Sequence, residues 1–395
     1  MRAHLQADPD VASPETFSLW RFYAYFLRLG TVGFGGPIAL AGFMQRDLVE
    51  ERRWIERQDY MDGLALAQLA PGPLAAQLAI YLGYIKAGIA GATIVSICFV
   101  APSFFMVWAI SAAYVAFGGL PWMQGLFYGI GAAVIGIIAR SAHKLTRLTL
   151  GRDPTLWLIF AVMGLATAWT EREIVWLFLL AGGLTVALAA VRSRTPAAPP
   201  TVASGLAVIS AGSATAAALA PTLNNVFWLF AKAGAFVFGS GLAIVPFLYG
   251  ELVQTHQWLN DRQFLDAVAV AMITPGPVVI TVAFIGYLVA GQVGALVAAI
   301  GVFLPVYFFV VIPYPWFDRW SGNPQLRAFV NGVTAATTGA IAGACVVLAR
   351  RAIFDVPTLI IGAVALLVIW RFKVPEPFLI AGGAALGLLA FGLKG

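Results

Sequence analysis

Two basic residues stand inside apolar stretches of the sequence, where a charge is costly. Arg28 and Lys232 occur among Phe, Leu, Ala and Gly, and no acidic residue lies between Ser18 and Arg46 or between Val226 and Tyr249. A cation at membrane depth costs at least about 2.5 to 3.5 kcal/mol, so it usually faces a cavity and a partner. A bound substrate anion is one candidate partner. The alternatives are that both side chains reach the membrane interface or pair with acids from the loops.

Four breaks interrupt the same region of each half, at positions that correspond in pairs. Proline removes a backbone donor and glycine costs about 1 kcal/mol against alanine, so continuous helices avoid both. A half-helix that begins after a break directs free N–H groups and its positive dipole end at the break, which favours an anion. Helix kinks and close helix packing are the simpler alternative. The breaks are Gly33-Phe34-Gly35-Gly36-Pro37, Ala70-Pro71-Gly72-Pro73, Gly239-Ser240-Gly241 and Thr274-Pro275-Gly276-Pro277.

Further polar residues near the breaks could donate hydrogen bonds to an oxyanion held away from water. Gln77 and Thr281 occupy equivalent places, and Gln68 and Thr274 lie close to the paired prolines. The predicted substrate-binding set is Arg28, Gly35, Gly36, Pro37, Gln68, Pro71, Gly72, Pro73, Gln77, Lys232, Gly239, Ser240, Gly241, Thr274, Pro275, Gly276, Pro277 and Thr281.

Two matched aspartates, Asp62 and Asp266, each precede a Pro-Gly-Pro motif by nine residues. A buried carboxyl group keeps its proton to a higher pH, so either residue could carry a proton during transport. The alternative is that both residues begin helices, where a negative charge complements the helix dipole. We therefore treat them as proton-coupling candidates.

The elements that carry these residues must be membrane helices. Of the 395 residues, 61% are hydrophobic and 11% are charged, and the mean hydropathy is +0.87. Soluble globular proteins contain about 45 to 50% apolar and about 25% charged residues, so this composition excludes most soluble enzymes and nucleic-acid-binding proteins. Cytoplasmic retention of short basic loops explains the net charge of +6. The composition predicts an all-α polytopic integral membrane protein in a lipid bilayer.

The cysteines and histidines are too scattered to form a catalytic or metal site. Cys98 and Cys345 lie in apolar stretches, His4 lies in the polar tail, and His143 and His256 lie in predicted loops. We expect no disulfide, no metal site, no cofactor and no enzyme activity. Acidic residues near the N-terminus and the lack of a clear cleavage site argue against a removable signal peptide.

Twelve apolar segments divide the chain into two halves. We predict a polar tail at 1–16, a first transmembrane repeat at 17–191, a Pro-rich linker with a linking span at 192–225, and a second repeat at 226–395. The predicted segments run at 17–44, 60–85, 88–117, 121–140, 155–170 and 174–191, and then at 226–249, 264–288, 290–313, 328–349, 357–370 and 377–393.

The second half repeats the first at an offset of 204 residues, which becomes 203 after one deletion. Trp54 then corresponds to Trp258, and Pro71-Gly72-Pro73 corresponds to Pro275-Gly276-Pro277. Residues this uncommon rarely hold one register by chance, so the halves are copies of one unit.

The linking span decides the orientation of the second copy. If it crosses the membrane, the number of crossings between equivalent points is odd and the second copy is inverted. In the first half the basic residues Arg140, Lys144, Arg147 and Arg152 follow the fourth segment. In the second half the turn before the equivalent segment gains Arg319 and Arg327, which is the change in the distribution of basic residues that inversion requires. We therefore expect two inverted repeats whose discontinuous helices meet at a central site.

The stretch from Phe34 to Tyr84 resembles the chromate ion transporter family (CHR, ChrA-type) in its long two-domain form. It contains Phe-Gly-Gly, a charged loop ending in Arg-Arg-Trp, and Leu-Ala-Pro-Gly-Pro, and Phe238 to Tyr287 is a weaker echo. The resemblance covers essentially the whole chain. Leu40 stands where many members carry His, and Ala76 stands where Thr is common, so this sequence lacks two polar groups near the predicted site.

This resemblance implies a secondary transporter that exports chromate from the cytoplasm across the bacterial inner membrane and confers chromate resistance. Sulfate, a dianion of the same shape, is the alternative substrate of a carrier or channel. A membrane-embedded enzyme or a scaffold is the alternative from another class. A homodimer is also left open.

Overall fold

The computed structural model describes residues 18–34, 36–118, 120–171, 175–193, 221–236, 241, 244–317, 323–372 and 374–392. Every regular element in these ranges is a helix, which confirms the predicted all-α class. The predicted polar tail, most of the linker with its span, and the site residues Gly35, Gly239 and Ser240 lie outside the described residues.

The first half contains seven helices within the described residues. A π-helix, Gln45–Glu51, continues directly from the second of them. Proline begins both the fifth and the sixth helix, at the position where its missing N–H costs nothing. The helices are α1 (Leu19–Val32), α2 (Gly36–Met44), α3 (Arg57–Leu69), α4 (Leu74–Phe117), α5 (Pro121–Leu150), α6 (Pro154–Thr170) and α7 (Val175–Ser193).

The second half presents its helices in the same order, and most of them match the length of their counterparts. A π-helix, Gly250–Thr255, again follows the second short helix. Within the described residues the helices are α8 (Leu223–Phe236), α9 (Ile244–Tyr249), α10 (Asp261–Ile273), α11 (Thr281–Val311), α12 (Pro324–Ala352), α13 (Val356–Arg371) and α14 (Glu376–Gly392).

Four helical stretches in the described chain are long and apolar enough to cross a membrane. They are α4, α5, α12 and the stretch Val278–Trp316 that contains α11. The helices α6, α7, α13 and α14 are also apolar, and their apolar cores are slightly shorter than the roughly 20 residues that a bilayer requires. Large apolar side chains such as Leu165 and Trp169 point outward, as expected of a surface that faces lipid.

Backbone conformations that few residues adopt recur at the repeat offset. Arg53 and Gln257 are both non-glycine residues with a positive φ, at 52° and 55°. Gly88 and Gly291 have φ values of 58° and 67° and interrupt α4 and α11 at corresponding points. The sequence repeat is therefore also a repeat of local structure.

Each Pro-Gly-Pro motif forms the tip of a helical hairpin. Gly63 of α3 contacts the Tyr81 ring of α4 across the first tip. Across the second tip, Thr281 Oγ1 donates a hydrogen bond of 2.7 Å to the carbonyl oxygen of Ala267. These contacts join residues on either side of the motif, so the chain reverses direction at the prolines.

Helices from the two halves interlock. The helix α5 packs against α13 and α14 of the second half, and α12 packs against α6 and α7 of the first. Glycines allow the closest approach: Gly129 of α5 meets Gly383 and Gly387 of α14, and Gly343 of α12 meets Gly164 of α6. Small residues permit such backbone contact between membrane helices.

The prediction that His143 and the basic cluster lie in a loop is wrong. Helix α5 continues to Leu150, so Arg140, His143, Lys144 and Arg147 are helical. The His143 ring packs on Trp370 of α13 at 4.9 Å between centroids. Lys and Arg favour helices, and their long side chains reach the interface from a helix that continues past the apolar core.

The interpretation of Asp62 and Asp266 as helix starts is also wrong. The acidic residues in the first turns of α3 and α10 are Asp59 and Asp261. In α10 the N-cap is Asn260, which forms a capping box with Gln263. The two matched aspartates therefore lie farther along their helices, where the helix dipole gives them less stabilisation.

Candidate functional site

The tip of the second hairpin contacts the helix break of the first half. The N–H of Gly276 donates a hydrogen bond of 2.8 Å to the carbonyl oxygen of Gly33. Beside it, Ser103 Oγ of α4 donates a hydrogen bond of 3.1 Å to the carbonyl oxygen of Gly30. We call Gly30, Gly33, Ser103 and Gly276 the tip junction. It brings two of the four predicted breaks together.

Local chemistry explains why the chain can form the tip junction. Gly33 ends α1 in an extended conformation, which leaves its carbonyl oxygen free to accept a bond from another segment. Gly276 has a φ of 91°, a region that L-residues with side chains rarely adopt. A Cβ at Gly276 would overlap the Ser103 hydroxyl, so only glycine fits.

The tip of the first hairpin is held by Gln77. Its Nε2 donates a hydrogen bond of 2.7 Å to the carbonyl oxygen of Pro71, and the side chain is 0% exposed. Its Oε1 makes no hydrogen bond to any described residue. An unmet acceptor in a buried position costs about 1 to 3 kcal/mol, so a donor from a ligand or from a moving segment would stabilise it.

The hydroxyl groups of Thr274 and Thr281 both donate hydrogen bonds to carbonyl oxygens of their own hairpin. Thr274 donates to the carbonyl oxygen of Val270 at 2.9 Å, and Thr281 donates to Ala267 as described above. Both residues are buried. Their hydroxyl protons are therefore already used in this conformation, while their oxygens could still accept.

Arg28 faces a cavity that reaches the tip junction at Gly33. This cavity has a volume of about 300 Å³ and is also lined by Arg46, Asp47, Glu51 and Arg52. The segment after α2 folds back and presents two carboxylates to this cavity, which supports the alternative that acids from the loops lie near Arg28. Arg28 forms no ion pair with the described residues, and its side chain is exposed.

The remaining predicted residues are spread over the molecule. Lys232 and Gln68 are exposed, while Pro73, Gly241, Pro275 and Pro277 are buried. Gly36 begins α2 with a φ of 75°, and Pro37 follows it in the first turn. Pro71 and Gly72 sit in the first hairpin tip beside Gln77. The described structure thus joins Gly276 to the first break, and the cavity of Arg28 borders that contact at Gly33.

The two aspartates have different surroundings. Asp62 accepts a hydrogen bond of 2.8 Å from Gln58 and is partly exposed. Asp266 is 3% exposed and accepts a hydrogen bond of 2.7 Å from the Tyr114 hydroxyl of the first half. Asp266 also lines a cavity of about 340 Å³ with Arg262 and Arg351. Asp266 is therefore buried and linked to the first half, whereas Asp62 is partly exposed.

Sequence reasoning missed Ser103 and Tyr114, which contribute to these contacts. At the repeat offset, Ser103 corresponds to Val306 and Tyr114 to Phe317, so a search for matched polar residues passes over both. The signal that could have found both residues is a polar side chain at a position where the other half has an apolar one. In the described part of the chain no group of three or more His, Cys, Asp or Glu side chains could hold a metal ion.

These features define a helical membrane protein whose two halves share local structure within the described residues. The chain belongs to the chromate transporter family, whose sequence model matches residues 20–187 and again residues 224–388. The resemblance predicted from the sequence is confirmed. Because this is a family of transporters, the prediction that the chain is not an enzyme is also confirmed.

Several relatives match the chain over nearly its full length. A chromate transport protein of Cupriavidus metallidurans is 56% identical over 385 residues, which cover 97% of this chain and 96% of the relative. A probable chromate transport protein of Synechococcus elongatus is 54% identical over 94% of this chain and 96% of its own. A chromate transport protein of Pseudomonas aeruginosa is 33% identical over 97% of this chain and 95% of its own. No solved structure matches the chain.

Proposed function

We propose that this protein is a secondary transporter that exports chromate from the cytoplasm across the bacterial inner membrane and thereby confers chromate resistance. The observation that carries the proposal is the 56% identity to a chromate transport protein over nearly the whole of both chains. The duplicated helix breaks supply a physical means of binding an anion without covalent chemistry. Sulfate is the competing dianion.

The two halves, 17–191 and 226–395, are inverted copies joined by the linker at 192–225. Contacts between α4 and α11 support this arrangement. Thr93, near the start of the long second part of α4, hydrogen-bonds at 2.8 Å to Tyr307, near the end of α11. The Trp108 ring, toward the end of α4, lies 6.4 Å from the Tyr287 ring beside the turn of α11. The start of each helix thus meets the end of its copy.

The packing of α12 gives independent support. Gly339 contacts Phe160, and Gly343 contacts Gly164, so α12 and α6 run in the same direction. Only three residues join α5 to α6, and two spanning helices joined so closely cross the membrane in opposite directions. Since α12 is the copy of α5 and runs with α6, the copies point opposite ways.

The hairpins enter the membrane and return to the face from which they came. The helix α3 has 13 residues, which span about 20 Å and fall short of a hydrocarbon core of about 30 Å. Irregular backbone at membrane depth requires cover by protein or by a water-filled cavity. The breaks therefore form a central anion site lined by the residues of the hairpin tips, and the cavity of Arg28 reaches this site at Gly33.

Charge and protonation favour a dianion at this site. Chromate and sulfate offer only acceptors, which suit backbone N–H groups and cationic side chains. A protonated phosphate carries a donor that such a site leaves unpaired, at a cost of about 1 to 3 kcal/mol. The site therefore discriminates by hydrogen-bond type as well as by charge.

Inversion predicts that equivalent loops lie on opposite sides of the membrane. Arg53 and Gln257 are matched, exposed loop residues, so Arg53→Cys and Gln257→Cys suit a labelling test in a Cys98→Ala/Cys345→Ala background. With a membrane-impermeant maleimide on intact cells and on inverted vesicles, we expect the two variants to react from opposite sides. Labelling of both variants from the same side would contradict inversion.

Transport itself is tested in reconstituted vesicles. We expect protein-dependent chromate flux that sulfate inhibits and that nitrate does not. Nitrate is planar and carries one charge, whereas the proposed site suits a tetrahedral anion with two charges. Inverted cell vesicles report direction: export predicts accumulation inside them. Absence of flux for both dianions would overturn the proposal, and sulfate flux without chromate flux would replace the substrate.

A further inference from the structure

The surface of α1 that carries Arg28 is part of a larger opening. The cavity of about 300 Å³ described above adjoins a second of about 590 Å³, which also contains Arg21 and Trp54. The two cavities share Tyr25, Arg28, Glu51 and Arg52. We call the combined space the arginine cavity. It is built from α1 and from the π-helix and loop that follow α2.

The charges that line the arginine cavity leave an excess of two. Four guanidinium groups face two carboxylates there: Arg21, Arg28, Arg46 and Arg52 against Asp47 and Glu51. Both carboxylates are oriented toward Arg46, at 2.7 Å and 3.4 Å. Among the described residues Arg21, Arg28 and Arg52 have no acid within ion-pair distance. The net charge of +2 matches the charge of one chromate or sulfate ion.

Two aromatic rings fix the orientation of Arg52. Its guanidinium carbon lies 4.8 Å from the centre of the Trp54 ring and 5.2 Å from that of Tyr25. Such cation–π contacts hold the guanidinium plane and leave the N–H groups at its edge available for an oxyanion. A guanidinium that is already oriented loses less conformational entropy when an anion binds.

A buried hydroxyl group at the cavity wall lacks a partner. Tyr25 is 5% exposed, and its hydroxyl makes no hydrogen bond to a described residue. It faces the Asp47 carboxylate without forming a regular hydrogen bond to it. A buried donor without an acceptor costs free energy, which a bound oxyanion would recover. This observation is independent of the arginine cluster and also indicates a ligand.

The second half keeps less of this charge. At the repeat offset, Arg28 becomes Lys232, whereas Arg21 becomes Asn225, Tyr25 becomes Leu229 and Arg46 becomes Gly250. His256 replaces Arg52 and lies 3.3 Å from Glu251. Its ring stacks on Trp258, as Arg52 does on Trp54. Both halves thus keep a tryptophan that stacks on the residue two positions before it, while the excess of positive charge is confined to the first half.

We propose that the arginine cavity is a recruiting site for tetrahedral oxyanion dianions, bound by Arg21, Arg28, Arg52 and the Tyr25 hydroxyl on one face of the membrane. This inference rests on the proposed function and names where that function collects its substrate. If the copies are inverted, the cationic cavity opens on one side only. For an exporter, that side is the cytoplasm, where Arg-rich loops are retained.

Equilibrium binding of radiolabelled sulfate to the purified full-length protein tests the proposal, with sulfate as a probe that is not reduced. We expect the Kd to rise about tenfold in Arg28→Gln and in Arg21→Gln, because each loses one charge-assisted hydrogen bond. Tyr25→Phe should raise the Kd about threefold, as loss of a neutral hydrogen bond does. Chromate should displace the label.

The matched control is Arg53→Gln, which removes the same charge from the neighbouring exposed residue that lines neither cavity. Its Kd should equal that of the unchanged protein. If the other variants also bind normally, or if the protein binds neither dianion, the proposal is overturned. If they weaken binding while vesicles show no flux, the recruiting site stands and the transport proposal fails.

A second measurement on the unchanged protein guards against variants that do not fold. Added sodium chloride should weaken sulfate binding steeply, since an exposed cationic site is screened by salt. Binding that is independent of salt would contradict a site of this charge.

Discussion

Gly276→Ala should abolish chromate transport in reconstituted vesicles. The added methyl group meets the Ser103 hydroxyl and lies close to the Gly30 carbonyl oxygen, so the hairpin tip has to withdraw from α1. The φ of 91° adds about 1 to 3 kcal/mol of backbone strain for any residue with a side chain. Withdrawal also breaks the 2.8 Å hydrogen bond from Gly276 to Gly33.

The control for this substitution is Gly183→Ala in α7. A Cβ there meets no atom within contact distance, its φ is ordinary for a helix, and it lines none of the cavities described above. We expect normal transport and unchanged or slightly higher thermal stability, because alanine favours a helix over glycine. Transport by Gly276→Ala at the level of Gly183→Ala would show that the tip junction does not matter.

A double variant separates the overlap from the strain. Ser103→Ala removes the hydroxyl that the new methyl group would meet, although the Ser103 Cβ is still only 3.2 Å from it. We therefore expect Ser103→Ala/Gly276→Ala to recover part of the activity that Gly276→Ala loses. Additive effects of the two changes would mean that the residues do not act on each other.

The features that the sequence predicted best are those that occur twice. Paired prolines and glycines at a constant offset located the two Pro-Gly-Pro interruptions, because few sequences keep these residues inside an apolar stretch without a structural reason. Whether the chain turns back there or continues across the membrane was left open by the sequence. The tip junction could not be predicted in the same way. It joins Gly276 of one half to Gly33 of the other, and a search that aligns the halves says nothing about contacts between non-equivalent positions.

Residues that break the repeat were the ones that sequence reasoning overlooked. Ser103 and Tyr114 each stand where the other copy has an apolar residue, and each donates a hydrogen bond to the segment it contacts. The position of Arg28 depends on the chain after α2, which folds back beside α1. Hydropathy does not encode that reversal, since a charged segment is equally compatible with a distant loop.

Asp266→Asn should uncouple chromate movement from protons. Asp266 is buried, accepts a hydrogen bond from Tyr114 of the first half, and borders a cavity of about 340 Å³ that contains Arg262 and Arg351. A buried carboxylate requires a proton or a partner. A movement of α10 against α4 that removes the Tyr114 hydroxyl from Asp266 would therefore favour uptake of a proton by Asp266. An amide keeps the hydrogen-bonding shape and can neither bind nor release a proton.

The measurement compares two modes of transport in the same vesicles. With an imposed pH gradient, Asp266→Asn should show chromate flux at the level of protein-free vesicles, while exchange of chromate for sulfate without a gradient should persist. Asp62→Asn should have a smaller effect on gradient-driven flux, because Asp62 is partly exposed and is hydrogen-bonded within its own helix by Gln58. Equal losses in both modes would indicate a folding or binding defect. Normal gradient-driven flux in Asp266→Asn would exclude this residue from coupling, since asparagine at this position cannot bind or release a proton.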